Sequence, residues 1–214
     1  MEQPFDAGNI QILEGLDAVR HRPTMYLGAL DNVLVPNLLL REALCCARDE
    51  ALQGRCKALE IRLEHDGRAI VSDDGPGLPL DMGPCGKRKA ELYLTSLHAG
   101  CAAGKSSGEI ARTTCVLTLA VLNALSSEVT IRIFAVGAEW IQQYKEGKPV
   151  SELSIAGTST RRGTELSFTL DSGVLPRREF QRDEFVGWLK EHVKGLAVTL
   201  HDARTNEVTR LEAR

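Results

Sequence analysis

Between Ala58 and His65 apolar and charged residues alternate, with Leu59, Ile61 and Leu63 set against Glu60, Arg62 and Glu64. Only a strand with one buried face satisfies that two-residue period. The turn Asp66-Gly67 leads into a second strand, Arg68 to Ser72, and the resulting hairpin delivers the chain into Asp73-Asp74-Gly75-Pro76-Gly77. Similar runs recur at Glu128 to Val136, Glu139 to Tyr144, Thr164 to Leu170 and Ala197 to His201, with Gly137-Ala138 and Gly147-Lys148 as turns. Strands grouped in hairpins, with helices between the groups, specify an α+β sandwich with a largely antiparallel sheet rather than a strict βαβ alternation.

The helical segments are bounded by proline and glycine. Pro23 closes a short helix-like stretch from Asn9 to His21, because the residue before a proline is pushed out of the helical region. Pro36 suits a first helical turn, and Leu38 to Gln53 follow as one helix of four to five turns that Gly54 stops. Shorter helices are expected over Ala90 to Leu97 and from about Thr114 to Leu125, and a final one over Arg178 to Lys194.

A chain of 214 residues can bury a core without staples and fits one domain. Lys and Arg number 26 against 29 Asp and Glu, so no global positive field draws the protein onto DNA or anionic lipid, and no sequence-specific DNA binding is expected. Aromatics at 5 % are too sparse for a base-stacking platform. The longest apolar run, Cys115 to Leu125, is about half a membrane span and is broken by Thr118 and Asn123. With two acids and no apolar stretch in Met1 to Asp6, a cytoplasmic location is expected. The six cysteines form no C-x-x-C pair and are read as reduced thiols.

On the long helix Glu42, Cys46 and Asp49 fall at i, i+4 and i+7, one stripe that serves a cleft or a solvated face equally well. After Asp73 two glycines let backbone approach a ligand closely while the carboxylate accepts from it. The run Ala99 to Ser106 is a relaxed phosphate-loop match, but Leu92 to His98 is a poor buried strand before it, and Ser107-Gly108-Glu109 is a poor first helical turn after it.

In order, these pieces resemble the N-terminal ATPase domain of DNA gyrase B and topoisomerase IV, of the GHKL superfamily that includes the histidine-kinase and MutL ATPases. The resemblance runs from Phe5 to about Arg204. It is carried by Ile10 to Gly28, Asp49-Glu50-Ala51-Leu52 with Gly54 and Cys56-Lys57, Asp73 to Pro79, Leu97-His98-Ala99-Gly100, Asn123 to Ser126 and Gly163-Thr164. It implies a two-layer GHKL, or Bergerat, sandwich, with a mostly antiparallel mixed sheet covered by helices on one face. Residues 1–22 would form a dimerising arm and 23–214 a single domain without transducer or DNA-cleavage parts. It further implies an ATP or ADP site in which Asp73 takes the adenine amino group. Gly77, Thr164, Asp49, Pro79 and Ile10 would contribute to that site, and Glu42 would be the general base. Phe5 and Ile10 would cross the dimer.

Departures from the family pattern weigh as much as the matches. The Mg²⁺ ligand position is Cys46, a poor donor for a cation that demands hard oxygens, so no Mg²⁺ is expected. The lid position, Arg112 to Thr118, has no glycine to form a phosphate nest. Pro76 replaces an arginine that pairs with the acid at Glu50, and the chain ends at Arg214, before a transducer lysine. The expectation is therefore a degenerate gyrase-B-like module that keeps the adenosine end, lacks efficient ATPase activity, and acts on a second copy of itself or on a gyrase or topoisomerase IV subunit. An active ATPase using new ligands such as Lys105, Ser106 and Thr113 is the alternative. A weaker one is a non-nucleotide ligand in a pocket walled by Pro76 and Cys46.

Overall fold

The computed structural model describes residues 13–97, 99 and 117–213. Ile10, Phe5, Lys105, Ser106, Thr113 and the lid positions 112–116 lie outside the described residues. Strands β1 (Ala58–Leu63), β2 (Arg68–Asp73), β3 (Ser126–Ala135), β4 (Ala138–Lys145), β5 (Lys148–Pro149), β6 (Ser154–Thr158), β7 (Gly163–Leu170), β8 (Ala197–Asp202) and β9 (Glu207–Leu211) form one sheet. Its order is β5-β4-β3-β7-β2-β1-β8-β9, with β6 also on β4. Every pairing is antiparallel except β1 with β8, so the expected α+β sandwich with a mixed, mostly antiparallel sheet is what forms.

The alternation in β1 has the predicted result. Leu59, Ile61 and Leu63 are buried while Glu60 and Arg62 face solvent. They join Val71, Val129, Ile131, Leu166, Phe168 and Leu200 in one core with the apolar faces of the helices. Those helices are α1 (Asp17–His21), α2 (Thr24–Leu27), α3 (Val35–Ala43), α4 (Cys45–Leu52), α5 (Lys89–Thr95), α6 (Leu119–Ala124) and α7 (Arg182–His192). Covering one sheet face in this way leaves the other face polar, which is why Glu165, Arg132 and Glu139 can exchange ion pairs across it.

Four elements differ from expectation. The long helix is two, α3 and α4, parted at the fully buried Leu44, whose N–H reaches back to Arg41 at 3.2 Å in a tightened turn. Within the described part of the helix expected from Thr114, the helix spans Leu119–Ala124 and starts after Thr118, which is extended (φ −137°, ψ 161°). Strands β6 and β9 escaped prediction, since Ser154–Thr158 and Glu207–Leu211 show almost no burial alternation. At the start of the described chain Val19 is fully buried, and Arg20 donates to Asp171 Oδ2 at 2.6 Å and to the Ala124 carbonyl at 2.7 Å. These contacts tie α1 to the ends of α6 and β7. The partly buried guanidinium, with the Gly173 N–H, outweighs burial and holds the Asp171 carboxyl below its usual range.

Candidate functional site

Two features of the local sequence set the site. Strand β2 ends at Asp73, and the chain then turns back through Gly75 and Gly77. Gly77 sits at φ +82°, where a β-carbon would lie 3.0 Å from Ile133 and 3.1 Å from the Gly163 carbonyl. Gly163, the first residue of β7, is at φ +114°, and a β-carbon there would collide with the Asp73 backbone carbonyl. The two glycines therefore let the ends of β2 and β7 and the following loop touch backbone to backbone.

The neighbouring acids Asp73 and Asp74 have opposite roles. Asp74 Oδ1 accepts from the N–H groups of Lys57 (2.7 Å) and Ala58 (2.9 Å), which fixes the start of β1. Asp73 Oδ1 accepts from Gly75 N–H at 2.8 Å. Burial pushes the Asp73 carboxyl up to about 6, against the pull of the Gly75 and Thr164 backbone N–H groups and with help from the Asp74 and Glu50 charges. Thr164 Oγ1 accepts from Leu78 N–H at 3.0 Å, so its own proton is left to donate. An acceptor and a donor thus stand side by side at one buried end of a cavity.

That cavity is about 550 Å³ and is walled by α4, the 73–81 segment, α5 and the β3–β4 turn. Of the residues expected from sequence it brings together Cys46, Asp49, Asp73, Gly77, Pro79 and Thr164. A smaller void of about 20 Å³ under its floor, touching Asp73 and Thr164, has room for one water. Glu42 is not among the lining residues: it lies on α3 at 1 % exposure, its Oε2 3.6 Å from Cys45 Sγ. The break at Leu44 interrupts the stripe that was to align Glu42 with Cys46 and Asp49.

Sequence reasoning missed several wall residues. Tyr93 of α5 faces the cavity, and its phenol is held above the usual range by burial and then by the Glu50 and Asp49 charges. Val136, 94 % exposed at φ +55°, and Ala135 bring the β3–β4 turn to the mouth. A β-branched residue in the left-handed region is rare, and Val136-Gly137 holds it within a tight hairpin turn. No local signal marks a distant hairpin tip as a cavity wall. Glu50 does not lack a cation for want of an arginine at Pro76: Arg55 Nε sits 2.5 Å from its Oε2.

Asp73 and Thr164 together can accept from an N–H group and donate to a lone pair of one ligand. Along the described remainder of the wall stand Asp49, Glu50 and Asp81 with Arg55 as the one cation, a poor setting for a polyphosphate. Cys45 and Cys46 are half-cystines, a correction to the expectation of reduced thiols throughout, while Cys56 and Cys85 are free. The expectation rested on the absence of a C-x-x-C pair, and a disulfide needs the two sulfurs close in space, not that spacing in sequence. A disulfide sulfur is a still poorer Mg²⁺ ligand than a thiol, so the residues present at that position do not fit the ion. The segment before the relaxed phosphate-loop match is helix α5, not the buried strand that motif requires. No helix among the described residues is long and apolar enough to cross a membrane.

No protein-family profile matches the chain. Against curated proteins it is 35 % identical to the DNA gyrase B subunit of Haloferax volcanii over 216 residues, covering 96 % of this chain and 33 % of that protein. It is 33 % identical to the DNA gyrase B subunit of Thermotoga maritima, covering 96 % of this chain and 33 % of that one. It is also 37 % identical to the DNA topoisomerase 4 B subunit of Caulobacter vibrioides, covering 79 % and 25 %. The chain spans about a third of the length of the gyrase proteins it matches. With the sheet order already in place, these likenesses show a gyrase-B-like domain of the GHKL type, homologous over most of its length to part of the DNA gyrase and topoisomerase IV B subunits.

Proposed function

We propose that this chain is a degenerate gyrase-B-like nucleotide-binding domain that holds the adenosine end of ATP or ADP and hydrolyses little or none of it. The observation that supports the reading is the make-up of the cavity: an acceptor–donor corner at Asp73 and Thr164 and, among the described lining residues, the acids Asp49, Glu50 and Asp81 with Arg55 as the one cation. Calorimetry with adenosine, ADP and ATP, each with and without Mg²⁺, tests this. The three ligands are expected to bind within about threefold of one another, since the phosphates add little net contact. Tighter ATP binding in Mg²⁺, or phosphate release that Glu42→Gln abolishes, overturns the reading in favour of a working ATPase.

A domain that binds without turning over acts through a partner. The partner proposed is a gyrase or topoisomerase IV subunit, or a second copy of this chain, engaged through residues 1–22. Added in excess to a supercoiling reaction, the protein is expected to form a complex with gyrase B and to slow supercoiling. Neither complex nor slowing, with the protein also monomeric by light scattering, removes this part of the proposal.

A further inference from the structure

Arg55 reaches the cavity by a backbone device that leaves it little freedom. Helix α4 ends at Leu52 with Gln53 as its cap, and Gly54 takes φ +70°. Gly54 N–H then bonds the Ala51 carbonyl (2.9 Å) and Arg55 N–H the Glu50 carbonyl (2.9 Å). This is the paired reverse bonding of a glycine-terminated helix, which stacks the second residue past the cap over the third residue from the end. An apolar contact usually occupies that junction. Here it is the ion pair of Arg55 Nε with Glu50 Oε2 at 2.5 Å.

One of the five guanidinium donors is therefore spent on Glu50. The two Nη groups have no partner among the described residues, and Arg55 is the one cation among the residues that line the cavity. Across the mouth stands Pro76, which has no donor of its own. We infer that Arg55, oriented by Glu50 and the Gly54 helix end, is the residue that fixes a purine at the cavity mouth, by donating from its Nη groups to the acceptor nitrogens at the edge of the ring. The inference rests on the adenosine pocket proposed above. The base is held between a buried carboxylate at one edge and a guanidinium at the other.

Lysine carries the charge of Arg55 but not the plane or the fork. Adenosine affinity by calorimetry is therefore expected to fall about tenfold in both Arg55→Ala and Arg55→Lys, the size of one charge-assisted contact. Glu50→Gln falls less, and Arg55→Ala with Glu50→Gln is no worse than Arg55→Ala alone, because Glu50 acts through Arg55. Melting temperatures stay close to the parent, since the pair is exposed. Parent binding that Arg55→Ala leaves unchanged, full affinity in Arg55→Lys, or multiplying effects in the double variant each overturns the role of Arg55 while leaving the pocket standing. A parent protein that binds no adenosine overturns the pocket and this inference together.

Discussion

Gly163→Ala is expected to cost about 4 kcal/mol or more of stability and to leave little soluble protein, because two penalties coincide at that residue. Its φ of +114° is a region L-residues seldom enter, and the added methyl would meet the Asp73 carbonyl, an atom of strand β2 that cannot swing aside as a side chain can. Position 163 is also held from its other side, where Gly163 pairs with Phe134 of β3. Gly137, at φ +75° in the exposed β3–β4 turn with nothing within 4 Å, isolates the conformational part. Its alanine variant should lose only about 1 kcal/mol. Urea denaturation of the two variants checks the difference. Equal losses would mean that the close approach of β2 and β7 contributes nothing.

The second large effect comes from Asp73, and its two consequences run in opposite directions. In the unfolded chain its carboxyl titrates near the ordinary value of 3.8, in the folded protein at about 6. An acid whose folded value is raised favours the fold while protonated in both states. That contribution is full below about pH 4, shrinks as the unfolded chain ionises first, and is gone above about pH 6. The gap amounts to about 3 kcal/mol of burial cost at neutral pH. Asp73→Asn removes it: the variant should be the more stable protein at pH 7.5 and no more stable than the parent at pH 4, by thermal melts across that range. The same change should weaken adenosine about 30-fold at pH 7.5, since a charged acceptor becomes a neutral one. A variant with parental affinity, or with no pH-dependent gain in stability, would show that Asp73 is neither the purine acceptor nor a strained group.

The parts legible in the sequence were those with a short-range cause. Alternation revealed β1 with its inward Leu59, Ile61 and Leu63, and Asp66-Gly67 revealed its hairpin. The break at Leu44 was hidden because Arg41-Glu42-Ala43-Leu44 holds no proline or glycine to mark it. Val136 and Tyr93 were hidden for another reason. Each comes to the cavity from an element distant in sequence, so only the closed fold gives either a role. Arg55 lay between these cases: a glycine one residue past a helix cap implies that the next side chain folds back over the helix, and Glu50 was there to receive it.

The consecutive acids at the tip of β2 make the site sensitive to reading frame. Because neighbouring side chains of an extended chain point to opposite sides, inserting a single residue between Ser72 and Asp73 would carry Asp73 into the anchoring position, toward the Lys57 and Ala58 amides, and push Asp74 out of it. Evolution can therefore vary the length of the loops that frame this corner, but the spacing at the strand tip behaves as a fixed ruler.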